Sequence, residues 1–195
     1  MSIRSIGAAL RGRLAATAAR MRADSRKASA MIEFAMIAPV FFLLLMGIIE
    51  NGVIFFAGST LQYATDNAAR YVRTGQAQAM NPPMTEADFR NRICADAAPL
   101  VTCDGNLQVD MNAYTGGYTG NSFSNPILPD GTLNPEHNIN PGTACNVVLL
   151  RVFYKWHVIT PVLSQFLTNM GGGYHLVTAT AAFRNEPFTS AVAGC

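Results

Sequence analysis

The sequence predicts an α+β protein. A long N-terminal helix has its first half in a membrane, and its second half lies on a small antiparallel sheet of an exported domain. Three observations carry that reading. Basic residues crowd the first 28 positions, a charge-free apolar stretch runs from Phe34 to Ile49, and short alternating segments follow beyond residue 85. Half of the 195 residues are hydrophobic and only 13% are charged, which is low for a domain that meets water on every side.

The leader, residues 1–28, holds Arg4, Arg11, Arg13, Arg20, Arg22, Arg26 and Lys27 against Asp24, a net charge of +6. The remainder holds seven basic and eleven acidic residues, a net of −4. Such a split is a topological signal and not a nucleic-acid surface, because no basic patch with interleaved aromatics follows. Sixteen residues from Phe34 to Ile49 carry no charge, Glu50 and Asn51 interrupt, and the apolar character resumes to Ala57. Phe34 to Phe56 as helix covers roughly 35 Å, and a hydrocarbon core of about 30 Å needs about 20 residues. Residues 29–57 are therefore read as one membrane crossing, with the cationic leader cytoplasmic and the chain from about residue 58 outside. An ordinary cleaved signal is the rival, but its apolar core runs only about 7–15 residues. Pro39 is expected to kink the helix, which lipid-embedded segments tolerate.

Beyond the crossing, Leu61, Ala64, Ala68 and Val72 recur at helical spacing, so one helix is expected over roughly 30–75. Asp66 and Arg70 stand at i, i+4 and are expected to pair. Residues 58–84 form this extension and a linker. Within 85–195, Thr85 caps a short helix through about Ala98, with Glu86 and Asp88 in its first turn. Leu107, Val109 and Met111 alternate with polar residues as a half-buried strand. Val147 to Ile159 is a longer strand, with Val148, Leu150, Val152, Tyr154 and Trp156 on one face. Pro161 starts a short helix through Met170, the glycine triplet turns the chain, and Leu176 to Phe183 is the last strand. Between residues 112 and 145 the chain is rich in Gly, Asn, Pro, Ser and Thr. It exceeds the usual loop length of about 12–15 residues and is read as a mobile insertion before a partner-binding loop.

Glu33 is a lone carboxylate at the cytoplasmic edge of the crossing, where it can snorkel to headgroups or serve assembly. Glu50 is read as marking the outer interface, with its carboxylate in water. Four cysteines, Cys94, Cys103, Cys145 and Cys195, lie on the exported side, and an even count there points to two disulfides, with three connectivities open. Cys94 with Cys103, and Cys145 with Cys195, fit the expected strand order. Zinc lacks a paired-cysteine spacing, and His137, His157 and His175 are scattered. Calcium lacks a loop spacing. No nucleophile constellation or phosphate cradle appears, so no enzymatic activity and no cofactor is expected.

Ala30-Met31-Ile32-Glu33-Phe34-Ala35 with Ile37-Ala38-Pro39, then Gly47-Ile48-Ile49-Glu50, then Ala68-Ala69-Arg70-Tyr71, resemble the N-terminal domain of TadE-like pilus assembly proteins. Arg151-Val152-Phe153-Tyr154, Thr160-Pro161 and Arg184-Asn185-Glu186-Pro187-Phe188 are similar to that family's C-terminal pattern. The resemblance implies a pilin-like fold and a minor pilin or pseudopilin of a tight-adherence (Tad, Flp, type IVc) pilus. It implies cleavage by a prepilin peptidase between Ala28 and Ser29, where the family's usual glycine is replaced by alanine. Glu33 and Phe34 would then be positions five and six of the mature chain, with Glu33 set to neutralise the new α-amino group. The partners implied are the bacterial inner membrane, other pilin or pseudopilin subunits and the Tad secretion machinery. The alternative is a signal-anchored periplasmic binding or receptor domain whose helix is only a tether.

Overall fold

The computed structural model describes residues 3–82, 84–102, 105–116 and 123–188, with side chains from residue 29 onward. Helix α1 runs Ile3–Arg73, continuing through Pro39 and starting far ahead of the expected residue 30. Ala, Leu, Arg and Met dominate the leader, and these are strong helix formers. The end of α1 is built locally. Gly75 has φ +80 and donates its N–H to Val72 O, and a Cβ there would run into the Phe188 ring. Only glycine combines that backbone with that approach.

The chain divides into two units, residues 1–48 and 49–195. In the first, every large apolar side chain from Met31 to Ile48 other than Leu43 is exposed. The segment from Ser29 is long and apolar enough to cross a membrane.

The second unit contains the C-terminal part of α1, α2 (Glu86–Ala97), β1 (Leu107–Tyr114), β2 (Val147–His157), α3 (Pro161–Leu167) and β3 (Tyr174–Arg184). The sheet is antiparallel in the order β1-β2-β3, with Val109 opposite Val152 and Val152 opposite Ala179. A long apolar helix followed by a small three-stranded sheet with short helices is the α+β arrangement expected. Leu61, Ala64, Ala68 and Val72 of α1 are fully buried, as their spacing implied. They share one core with Phe89 and Ile93 of α2 and with Val109, Met111, Val148, Leu150 and Val152 of the sheet. Small residues on the helix let its backbone approach the sheet. Helix α2 begins at the expected Thr85, whose hydroxyl accepts from Asp88 N while Asp88 accepts from Thr85 N at 2.9 Å. That reciprocal cap holds the Asp88 carboxyl below its ordinary range through the Thr85 hydroxyl first and its backbone N–H second.

Three expectations change. Asp66 does not pair with Arg70 and instead accepts from Gln62 Nε2 at 3.0 Å. The Gln62 amide also exchanges two 3.2 Å bonds with the Thr180 backbone, so it pairs with the outer edge of β3. Helix α3 stops at Leu167, short of Met170, because Asn169 turns out to accept from Leu176 N and Met170 N donates to Tyr174 O.

The third change concerns the insertion, which packs over the sheet where it is described, at residues 123–144. Ile127 and Leu133 cover Phe153, Met170 and Leu176 on the face opposite α1. The Asp110 carboxylate, buried in β1, pairs with the Arg151 guanidinium and accepts from Asn138 N. Arg151 Nη1 reaches Ser124 O at 3.0 Å, so one ion pair ties both ends of the segment to the sheet. Asn and Asp side chains then close tight local turns, as at Asp130–Thr132, Asn134–Glu136 and Asn140–Gly142. The polar composition that suggested mobility supplies these bonds in place of apolar burial.

Candidate functional site

Two carboxylates on α1 were singled out in the sequence, and they have opposite environments. Glu33 is exposed, and Ser29 Oγ, one turn before it, donates to Glu33 Oε1 at 3.4 Å. The helix thus places residue 29 on the same face as the carboxylate and within its reach. Phe34 is exposed. Ala28 lies within α1, and its side chain falls outside the described residues.

Glu50 is only 7% exposed, which overturns the expectation of a carboxylate in water. Its Oε1 accepts from Ile159 N, and its Oε2 accepts from Thr160 N at 3.2 Å. A carboxylate taking two successive backbone N–H groups is a strong, directional clamp. Thr160 is the N-cap of α3 and makes no side-chain cap of its own, with Pro161 at the first helical position. Glu50 therefore holds the N–H groups of the N-cap and of the residue before it, and it fixes where the chain leaves β2. Periodicity could not reveal this partner, because it lies 109 positions away.

Several motif residues quoted from the two ends of the sequence meet in this unit. Glu50 joins Thr160, as described. Arg73 Nε lies 3.4 Å from Glu186 Oε1, and Glu186 N donates to Arg73 O at 2.9 Å. Asn185 is buried, and its Nδ2 donates to Pro141 O and Thr143 O, each at 2.9 Å. Arg92 of α2 stacks over the Tyr71 ring at 4.0 Å. These contacts lock the start and the end of the folded unit together around α1.

Cys94 and Cys145 both take part in disulfide bonds. The expected pairings, Cys94 with Cys103 and Cys145 with Cys195, each fall partly on a residue outside the described set. His137 has its Nε2 2.9 Å from Glu86 Oε2, joining the insertion to α2. Burial works against a charged ring there. The bonds to Glu86 and to Pro135 O, with the nearby Glu86 and Asp110 charges, outweigh it and hold His137 above its ordinary value. Among the described residues, no three His, Cys, Asp or Glu side chains gather in a way that could hold a metal.

A family model described as TadE-like protein matches residues 28–70. No curated protein and no solved structure matches the chain. The resemblance read from the N-terminal motifs is thus borne out over that stretch, which begins at Ala28 and ends one residue before Tyr71. The likeness covers 43 of the 195 residues, all of them in α1.

Proposed function

We propose that this TadE-like chain is a minor pilin or pseudopilin that helps assemble or initiate a Tad pilus. It sits in the bacterial inner membrane with its leader cytoplasmic and its α+β domain periplasmic. A prepilin peptidase cuts between Ala28 and Ser29, and the chain acts by docking with other pilin-like subunits and the secretion machinery, not by catalysis. Oxidation of the four cysteines to Cys94–Cys103 and Cys145–Cys195 fits that compartment.

One observation supports the reading above all. The segment matched by the family starts at the residue before the proposed cut, and within it α1 changes from exposed large apolar side chains to a buried, small-residue face. A helix that leaves its first half free for lipid or for neighbouring helices, while its second half is part of a folded domain, suits a subunit that is stored in a membrane and stacked later. The new α-amino group at Ser29 would be cationic below a pKa of about 8, and the Glu33 carboxylate is one turn away to compensate it.

Intact-mass measurement of protein isolated from its own cells tests the processing step. A chain beginning at Ser29 is expected, and one beginning at Met1 favours the tether alternative. Glu33→Gln should insert normally and lose co-purification with pilus components. Unchanged co-purification would remove the assembly role from Glu33.

A further inference from the structure

Helix α3 and the turn before it form an apolar surface that the assembly role does not use. Residues 158–173 contain neither a charged side chain nor a histidine. Val158 and Met170 anchor its two ends in the domain, yet between them no residue of α3 is buried, Ile159 is 75% exposed and Phe166 is 81% exposed, with Val162 also exposed. Val162 and Phe166 are one helical turn apart and so lie on one face. Isolated exposed apolar residues need no explanation, but three large ones on a short uncharged element do.

The Glu50 clamp says where this element sits. Ile159 and Thr160 donate to the Glu50 carboxylate, so the start of α3 is level with residue 50 of α1. Counting from Phe34, about 20 helical residues are needed to cross a hydrocarbon core, which carries the crossing to about residue 53. Phe55 and Phe56, still further along, are themselves exposed. Residue 50 therefore precedes the last exposed apolar residues of the stretch read as the crossing and lies near its outer end, where interfacial helices sit.

We propose that Ile159, Val162 and Phe166 insert into the outer face of the bilayer, making α3 a second, interfacial contact of the domain with lipid. This rests on the reading of 34–56 as a membrane span. Continuity with that span commits the surface to lipid, and Glu50 is the positioning residue that holds α3 at this depth. The mixed character of α3 agrees, since Ser164 and Thr168 close their hydroxyls onto backbone carbonyls at 2.6 Å and need no bulk water.

The test uses full-length protein in phosphatidylcholine vesicles, with the single native tryptophan removed by Trp156→Phe. Phe166→Trp and Val162→Trp are compared with Phe42→Trp in the span and Phe123→Trp on the insertion. Lipid brominated near the headgroup end of its acyl chains is expected to quench the α3 probes and to blue-shift their emission, and lipid brominated near the chain ends is expected to quench the Phe42→Trp probe, while the Phe123→Trp probe keeps its emission with both. Quenching of the Phe42→Trp probe without either α3 probe overturns the proposal, leaves the span intact and points to a protein cover for α3. Loss of quenching at Phe42→Trp as well overturns the span itself. Equal quenching at Phe123→Trp overturns the assignment to α3, because the domain would then touch lipid indiscriminately.

Discussion

Beyond the leader, two successive stretches of α1 use one backbone for opposite purposes. Residues 29–49 carry Phe, Leu, Ile and Met, nearly all exposed. Residues 50–73 bury Ala57, Leu61, Ala64, Ala68 and Val72 and expose Tyr63, Asp66, Arg70 and Arg73. Bulk without a partner marks the first stretch, and smallness with a partner marks the stretch that a sheet lies against. Hydrophobicity alone does not separate these cases. Side-chain size and the presence of an opposite polar face do.

The comparison can be broken most directly by trimming one leucine in each stretch. Leu61→Ala should cost about 3–5 kcal/mol, because the site is fully enclosed. Leu44→Ala should leave the unfolding midpoint of the domain unchanged, as followed by near-ultraviolet dichroism in detergent. Equal losses would mean that the exposed stretch is part of the domain core. Next in size is Arg151→Leu, which strands the buried Asp110 carboxylate and should cost about 3 kcal/mol. Hydrogen exchange should then accelerate at Asn138 N, and Asp110→Leu in the same chain should restore most of the loss. Glu50→Gln should cost about 1–3 kcal/mol by weakening the clamp on two backbone donors. Its signature is faster exchange at the amides of Ile159 and Thr160, with the midpoint of the sheet core moving less than for Leu61→Ala.

The smallest effect is the pH dependence of the His137–Glu86 contact. His137 is held above its ordinary value, so its folded-state pKa exceeds the unfolded one. The contribution is complete below about pH 6.5 and is lost as the pH rises through the raised value. Stability of the wild-type chain relative to Glu86→Gln, measured between pH 5 and 8, should therefore fall with rising pH. A flat difference would show that the ring stays neutral throughout.

Local chemistry made much of this molecule legible. Thr85, Glu86 and Asp88 announced α2, because a cap and its helix lie within four residues. The alternation from Val148 to Tyr154 announced β2, and the spacing of Leu61, Ala64, Ala68 and Val72 announced the buried face of α1. What failed was non-local or compensatory. Glu50 read as a solvated end charge because its partners are more than a hundred positions away. Asp66 read as the mate of Arg70, yet Gln62 was equally close on the helix and also had an edge strand to satisfy. The insertion read as loose because apolar content was weighed, while the turn-closing capacity of its Asn and Asp side chains was not. The candidate site divides the same way: Glu33 and Ser29 were visible as neighbours on a helix, and the surface on α3 was not.

The Glu50 clamp also sets a schedule. The carboxylate emerges from synthesis long before the backbone amides that satisfy it, and the last strand, Tyr174–Arg184, comes later still. Until then the growing chain keeps an unanswered acid and an uncovered alanine stripe on α1. A truncated product that stops before Ile159 would leave the acid without either of these donors.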